Sequence, residues 1–197
     1  NKVEADVLGT SVYFKEDEHS DDYDHENSYS DSDSKILIKC DGKLYECSDR
    51  NFNYYGEGRY GRYTCKELTY DDINNGKSIT LIPVTCTLTN KEKEEIYDTM
   101  RYDSEYVPET FDNVTYKKDF KFNDGKDGEV SKVEREDDKV KLYINTDSEN
   151  KSILMACSMR GWIESNKGNY YGDAEKSMYK DPDSNDGYII EFSGVDK

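Results

Sequence analysis

The residue types that usually carry chemistry are oddly distributed in this chain. Its only histidines, His19 and His25, lie inside the acidic run EDEHSDDYDHENSYSDSDS, residues 16–34. Nothing nearby would hold an imidazole in a fixed geometry there. Ser-His-Asp and Cys-His nucleophile schemes, and histidine acid–base work, therefore have no obvious histidine to use. Five cysteines, Cys40, Cys47, Cys65, Cys86 and Cys157, are scattered with no C-x-x-C pair and so lack zinc-ligand spacing. Carboxylates are so abundant that proximity along the chain says little about a catalytic pair. The stretch NDGKDGEVSKVE puts Asn123, Asp127 and Glu134 at the first, fifth and twelfth positions of a calcium loop, with Gly128 at the sixth. The third position is Gly125, which brings no side-chain ligand, so the same residues read equally as an Asp-Gly turn between strands. A second acidic loop, residues 181–187, puts its Gly187 one place late. No cofactor is expected.

The acidic run is the sharper feature. Tyr23 lies between Asp22 and Asp24, with Asp21 before them and Tyr29 nearby. Acid-flanked tyrosine is the setting for tyrosine sulfation in a secretory pathway. A polyanionic arm carrying Asp21, Asp22, Tyr23, Asp24 and Tyr29 would suit a basic partner. The plainer reading is a solvated spacer, because the run cannot bury enough apolar surface to repay its ordering entropy.

Composition sets the frame for both readings. The 197 residues are 34% hydrophobic and 36% charged, with 18 Tyr and a formal net charge of −17. Such a field repels nucleic acid and anionic membranes and attracts basic partners. No apolar run approaches the ~18–20 residues that cross a bilayer. Sequons at Asn113 and Asn150, together with scattered cysteines, favour a secreted glycoprotein. Five cysteines make two bridges and one thiol the default count. The expected partner is a basic protein met after secretion.

The elements that must position these groups are mainly strands. Residues 7–14 read as a short strand. Asp41-Gly42, between ILIKC and KLYEC, is a hairpin signal that sets Cys47 opposite Ile36 and keeps Cys40 and Cys47 from bridging each other. Residues 50–65 interleave Arg59 and Arg62 with tyrosines, read as Tyr-rich strands with Gly turns and not as a base-stacking platform. Pro83 pushes the strand of residues 78–88 towards an edge or a bulge. Thr89 with Glu92 fits a capping box, opening the principal helix, about residues 90–102. Residues 137–162 read as the central hairpin, with Val140, Leu142 and Ile144 alternating, then a polar turn, then residues 153–159 as a strand covered on both faces. The last strand, residues 187–192, alternates poorly. The fold class expected is α+β: a β-rich antiparallel sheet with one principal helix. Residues 1–34 are expected to form a strand plus acidic segment, and residues 35–197 a single domain.

Two family resemblances attach to these motifs. The helix after Thr89, then Tyr106-Val-Pro108-Glu109, Phe111, Asn113, a strand ending Phe120-Lys-Phe122, Asp138-Lys139-Val140 and Met155-Ala-Cys157-Ser158 together resemble the guanyl-specific fungal ribonucleases. Tyr63-Thr-Cys65 and Thr69-Tyr70-Asp-Asp72-Ile73 are similar to that family's opening. The resemblance implies that Glu109 replaces the base histidine, Lys139 the phosphate-binding arginine, and Cys157 the acid histidine. It therefore implies a catalytically dead scaffold, as in the secreted ribonuclease-like effectors of powdery-mildew fungi, which bind host components. The strand of residues 7–14 followed by the acidic run, and residues 78–86 running into a charged loop, resemble the secreted poxvirus decoys that bind chemokines on acidic β-sandwiches. That second resemblance implies a basic cytokine or chemokine as partner.

Overall fold

The computed structural model describes residues 2–16, 35–47, 49–55, 58–74, 78–84, 89–92, 94, 118–121, 127–164 and 170–194. The chain is β-rich, built from antiparallel sheets with few and short helices. It divides into two units, one comprising Asn1–Asp41 and Tyr45–Glu109, the other Gly42–Leu44 and Thr110–Lys197. The N-terminal strands belong to the first unit because their hydrogen-bond partner lies far along the chain, in residues 58–65.

In the first unit, β1 (Lys2–Asp6) and β2 (Gly9–Glu16) form a hairpin, followed by β3 (Lys35–Cys40), the end of β4 (Lys43–Glu46), β5 (Asp49–Tyr55), β6 (Gly58–Cys65), α1 (Tyr70–Asn74) and β7 (Ile79–Val84). β1, β2, β6 and β5 make one four-stranded sheet in that order, and β7, β3 and β4 pair in a second. The core between them gathers Val12, Ile38, Tyr45, Tyr63 and Leu68 with Cys40, Cys47 and Cys65. Gly61 is a glycine for steric reasons. Its register partner is Phe14, whose ring stacks on Tyr63 at 5.1 Å, and a Cβ at position 61 would lie 2.2 Å from Phe14 Cζ.

The Asp41-Gly42 hairpin forms as its residues dictate. Both turn residues take positive φ, 51° and 76°, the left-handed pair that a two-residue turn demands. Cys47 N–H donates to Ile36 O at 3.1 Å, the expected register. β7, which carries Pro83, lies at the edge of its sheet. Thr69 and Thr89 both open helices: each pairs its backbone N–H and hydroxyl with a carboxylate three residues on, Asp72 and Glu92. Glu92 N–H also donates back to the Thr89 hydroxyl, completing the capping box. Beyond residue 94 the principal helix expected at 90–102 lies outside the described residues.

The second unit corrects the reading of the central hairpin. β8 (Lys118–Lys121), β9 (Asp127–Glu136), β10 (Lys139–Thr146), α2 (Glu149–Ser158), β11 (Trp162–Glu164), β12 (Tyr170–Asp173), β13 (Glu175–Lys180) and β14 (Tyr188–Ser193) follow in order. The strand expected at 153–159 is instead the body of α2. Ser152, Ile153, Met155, Ala156 and Cys157 are buried while Leu154 and Ser158 face outward, a helical stripe. A short apolar run is ambiguous between buried strand and buried helix, and Leu, Met and Ala supply the helical preference here. The centre of the sheet is β14, between β13 and β10, where Tyr188, Ile189, Ile190 and Phe192 are all buried. Its poor alternation arises because Ile189, on the face opposite α2, is buried between Tyr143 and Tyr179 while its neighbours Tyr188 and Ile190 are buried on the other face.

Side chains lock α2 onto β10, β13 and β14. The Thr146 hydroxyl donates to Ser148 O at 2.7 Å and meets the buried Ser152 hydroxyl at 2.9 Å. Tyr188 OH donates to Glu149 Oε1 at 2.9 Å. Lys176 Nζ donates to the carbonyls of Cys157 and Met159 at 3.3 and 3.2 Å, closing the C-terminal end where a cation suits the helix dipole.

Candidate functional site

The most fully built polar surface among the described residues is the face of the second unit's sheet opposite α2. Period-2 alternation on four or five neighbouring strands makes it. One row across the sheet reads Lys132, Tyr143, Ile189, Tyr179, Lys43; the next reads Glu134, Lys141, Glu191, Ser177. Lys139, at the start of β10, pairs with Glu136 one row further on. Tyrosines flank Ile189 on both sides, and its side chain is only 5% exposed.

Charges on this face are paired throughout. Lys139 Nζ donates to Glu191 Oε1 at 2.7 Å, and Tyr179 OH donates to the other oxygen of Glu191 at 3.1 Å. Lys141 Nζ lies 3.0 Å from Glu136 Oε2. Glu134 accepts from Tyr143 OH and pairs with Lys132, whose ammonium lies 4.8 Å from the Tyr143 ring centroid. The consequences for titration all run one way. The Lys132 bond, then that of Tyr143, lowers Glu134; the Lys139 bond lowers Glu191. Bonding to Glu191 raises Lys139, and bonding to Glu136 raises Lys141. The bond to Glu134 raises Tyr143, and burial raises Tyr179. Acids move down and bases and phenols move up, so each shift takes its group further from neutral pH. General acid–base work requires the opposite displacement. At neutral pH this surface is a fixed pattern of charge and hydroxyls.

Residues singled out from the sequence fall in separate places. Lys139 is on this face, bound to Glu191. Cys157 is not on a strand but on α2, 2% exposed, with its thiol 3.2 Å from Leu154 O. Glu109, Asn113 and Asn123 lie outside the described residues, as do Asp21, Asp22, Tyr23, Asp24 and Tyr29. Lys139 and Cys157 come from opposite sides of the sheet, so they do not share a site: Lys139 projects onto the face opposite the one that α2 covers. Asn150 is exposed, in the first turn of α2 and not in a hairpin turn.

The calcium reading meets a geometric obstacle. Asp127 and Glu134 lie on one strand, β9, seven residues apart, and at about 3.3 Å per residue are separated by about 23 Å. They cannot coordinate one ion. The loop 181–187 spends its groups on itself: Asp183 N–H donates to Asp181 Oδ1 at 2.9 Å, Gly187 N–H to Ser184 Oγ at 2.9 Å, and Lys180 Nζ to Asn185 O at 2.6 Å. Among the described residues no three His, Cys, Asp or Glu side chains converge as a metal site would require.

The described cysteines, Cys40, Cys47, Cys65 and Cys157, are buried thiols, where the sequence suggested bridges; Cys86 lies outside the described residues. The acidic run is the connection between β2 and β3, two strands of the first unit in different sheets, so it is fastened at both ends. Nine of residues 16–34 are Asp or Glu and none is Lys or Arg. The patterned face escaped sequence reasoning because its members come from five strands. The alternation of Lys139, Lys141 and Tyr143 was its one visible sign. No helix among the described residues is long and apolar enough to cross a membrane. Comparison with protein-family models, with curated proteins and with solved structures finds no match for this chain.

Proposed function

We propose that this chain is a secreted, non-catalytic binding protein that captures a basic host macromolecule, a cytokine or chemokine-like protein, through the acidic connection between β2 and β3. The observation that carries the reading is the tethering of that run. Nine carboxylates without a single cation leave one β-strand and enter another, so the charge is presented from a paired framework at both ends. Loops displayed from a rigid scaffold are where binding residues concentrate. A focused anionic segment accelerates encounter with a cationic partner and selects against anionic ones.

The antiparallel, two-sheet first unit is the framework that an acidic β-sandwich decoy would use. The ribonuclease-like alternative has less support. It requires a strand carrying Cys157 beside one carrying Lys139, and Cys157 is on a helix. Both readings share the absence of catalysis and the capture of a host component, and they separate on the acidic run.

The test replaces residues 17–34 with a Gly/Ser linker of equal length and measures binding to a panel of basic cytokines by biolayer interferometry. The replacement is expected to weaken binding at least tenfold, and the wild-type association rate is expected to fall steeply between 50 and 300 mM salt. Unchanged affinity after replacement would overturn the proposal. Cleavage of RNA by the wild-type protein would restore the ribonuclease reading.

A further inference from the structure

We infer that Asn150 is an N-linked glycan acceptor, modified on the growing chain before α2 folds and closed to modification once it has. Of the proposed function, this takes only the secretory route. Asn150-Lys151-Ser152 is a sequon, and its demand for a hydroxyl two residues after the Asn means that the transferase reads both groups. The fold treats them oppositely. Asn150 is exposed in the first turn of α2, where a bulky sugar on its Nδ2 meets solvent. Ser152 is 0% exposed. The Thr146 hydroxyl, 2.9 Å from that of Ser152, donates to Ser148 O, so the Ser152 hydroxyl donates to Thr146. The folded protein can carry the product but cannot present the acceptor motif. On the growing chain it can. α2 has 10 residues, too few to persist without tertiary partners. Its ends are tied by Tyr188 to Glu149 and by Lys176 to the carbonyls of Cys157 and Met159. Both partners are made after the sequon: at about 5–20 residues per second, Tyr188 follows Asn150 by roughly 2–8 s.

The reaction is transfer of an oligosaccharide from a lipid pyrophosphate donor. Asn150 Nδ2 attacks the anomeric carbon of the sugar, a C–N bond forms, and the C–O bond to pyrophosphate breaks. The lipid pyrophosphate leaves with the electron pair, and the amide nitrogen releases one proton. Nothing is oxidised or reduced. Once attached, the glycan lies on the wet side of α2 beside Leu154, which is one turn on and 43% exposed. That side of the second unit is then shielded, and a protein partner has to be met elsewhere.

The experiment translates the full chain behind a foreign signal peptide in the presence of microsomes, removes N-glycans with an amidase in heavy-oxygen water, and maps peptides. Each former acceptor becomes an Asp that carries the label. Labelled conversion at Asn150 in most chains, lost in Asn150→Gln, is expected. An unlabelled Asn150 would overturn the assignment. Because the signal is supplied, that result would condemn the site and leave the binding proposed for the acidic run untouched. A second arm offers purified transferase and lipid-linked oligosaccharide to folded, unglycosylated protein and to a peptide of residues 146–156. Modification of the folded protein should be at least about a hundredfold slower, because only the rare opened form of α2 exposes Ser152. Equal rates would overturn the claim that folding closes the site.

Discussion

Tyr188→Phe removes one oxygen from a fully buried tyrosine of the second unit, and its cost can be worked from the contacts. Tyr188 is 0% exposed, and its hydroxyl donates to Glu149 in the first turn of α2 at 2.9 Å. Bonds to charged acceptors contribute roughly 1.5–3 kcal/mol. Glu149 is 37% exposed and retains Lys180 Nζ at 3.5 Å, so after the substitution its carboxylate is still partly solvated and paired. That places the loss at the low end, about 1–1.5 kcal/mol. The ring and its packing remain, and Lys180 stays 5.1 Å from the ring centroid. The assay is urea unfolding followed by tryptophan fluorescence, since Trp162 is the only Trp and lies in the second unit. With a slope of roughly 1–1.5 kcal/mol per molar urea, the midpoint should fall by about 1 M. In a double-mutant cycle with Glu149→Gln the coupling should be about 1 kcal/mol. A midpoint shift under about 0.2 M, or strict additivity, would refute the claim that this bond fastens α2 to β14.

Other expectations test the fold at separate points. Leu154→Asp should cost under about 1 kcal/mol and Ile153→Asp more than about 3, because Leu154 is 43% exposed and Ile153 only 4%. Equal intolerance at both positions, by thermal melting, would favour the two-faced strand over α2. Gly9→Ala should cost at least about 3 kcal/mol, since Gly9 has φ of 138° and a Cβ would sit 2.4 Å from Cys65 O. A melting temperature within 2 °C of wild type would contradict that close approach. Tyr45 is 8% exposed, and burial first, then the nearby Asp72, raises its phenol to about 12. A folded-state value above the unfolded one means this contribution is intact below about pH 10 and lost as pH climbs towards 12. Circular dichroism and tyrosinate absorbance should therefore change together in that window, and folded protein that ionises fully near pH 10 would contradict it.

Legibility tracked how local the deciding interaction was. The Asp41-Gly42 turn, the Thr89–Glu92 box and the edge position of Pro83 each depend on a few consecutive residues, and all were readable. α2 was not, because SILMACSM carries no charge to show which side is wet. Its helical state is decided by partners such as Tyr188 and Lys176, 17 to 39 residues from the groups they bind. β14 was unreadable for a related reason: a strand buried on both faces loses the alternation that betrays its neighbours. For the candidate site, the acidic run was obvious from composition. The Lys132–Tyr143–Ile189–Tyr179–Lys43 row was hidden, since rows across a sheet exist only after register is set.

The edge occupied by Pro83 bears on how any partner must be held. Proline in a sheet is tolerated where its missing N–H points away from the neighbouring strand. Among the described strands β7 has a neighbour on one side only, and along its other side the line of donors is interrupted at Pro83. Such an edge resists growth of the sheet by a stranger's backbone, which protects a tyrosine-rich chain from zipping onto copies of itself. It also discourages capture by strand addition on that edge, a mode that takes affinity from main-chain bonds and is tolerant of sequence. Under the proposed capture of a basic partner, selectivity would therefore rest on side chains, with charge sorting ligands ahead of shape.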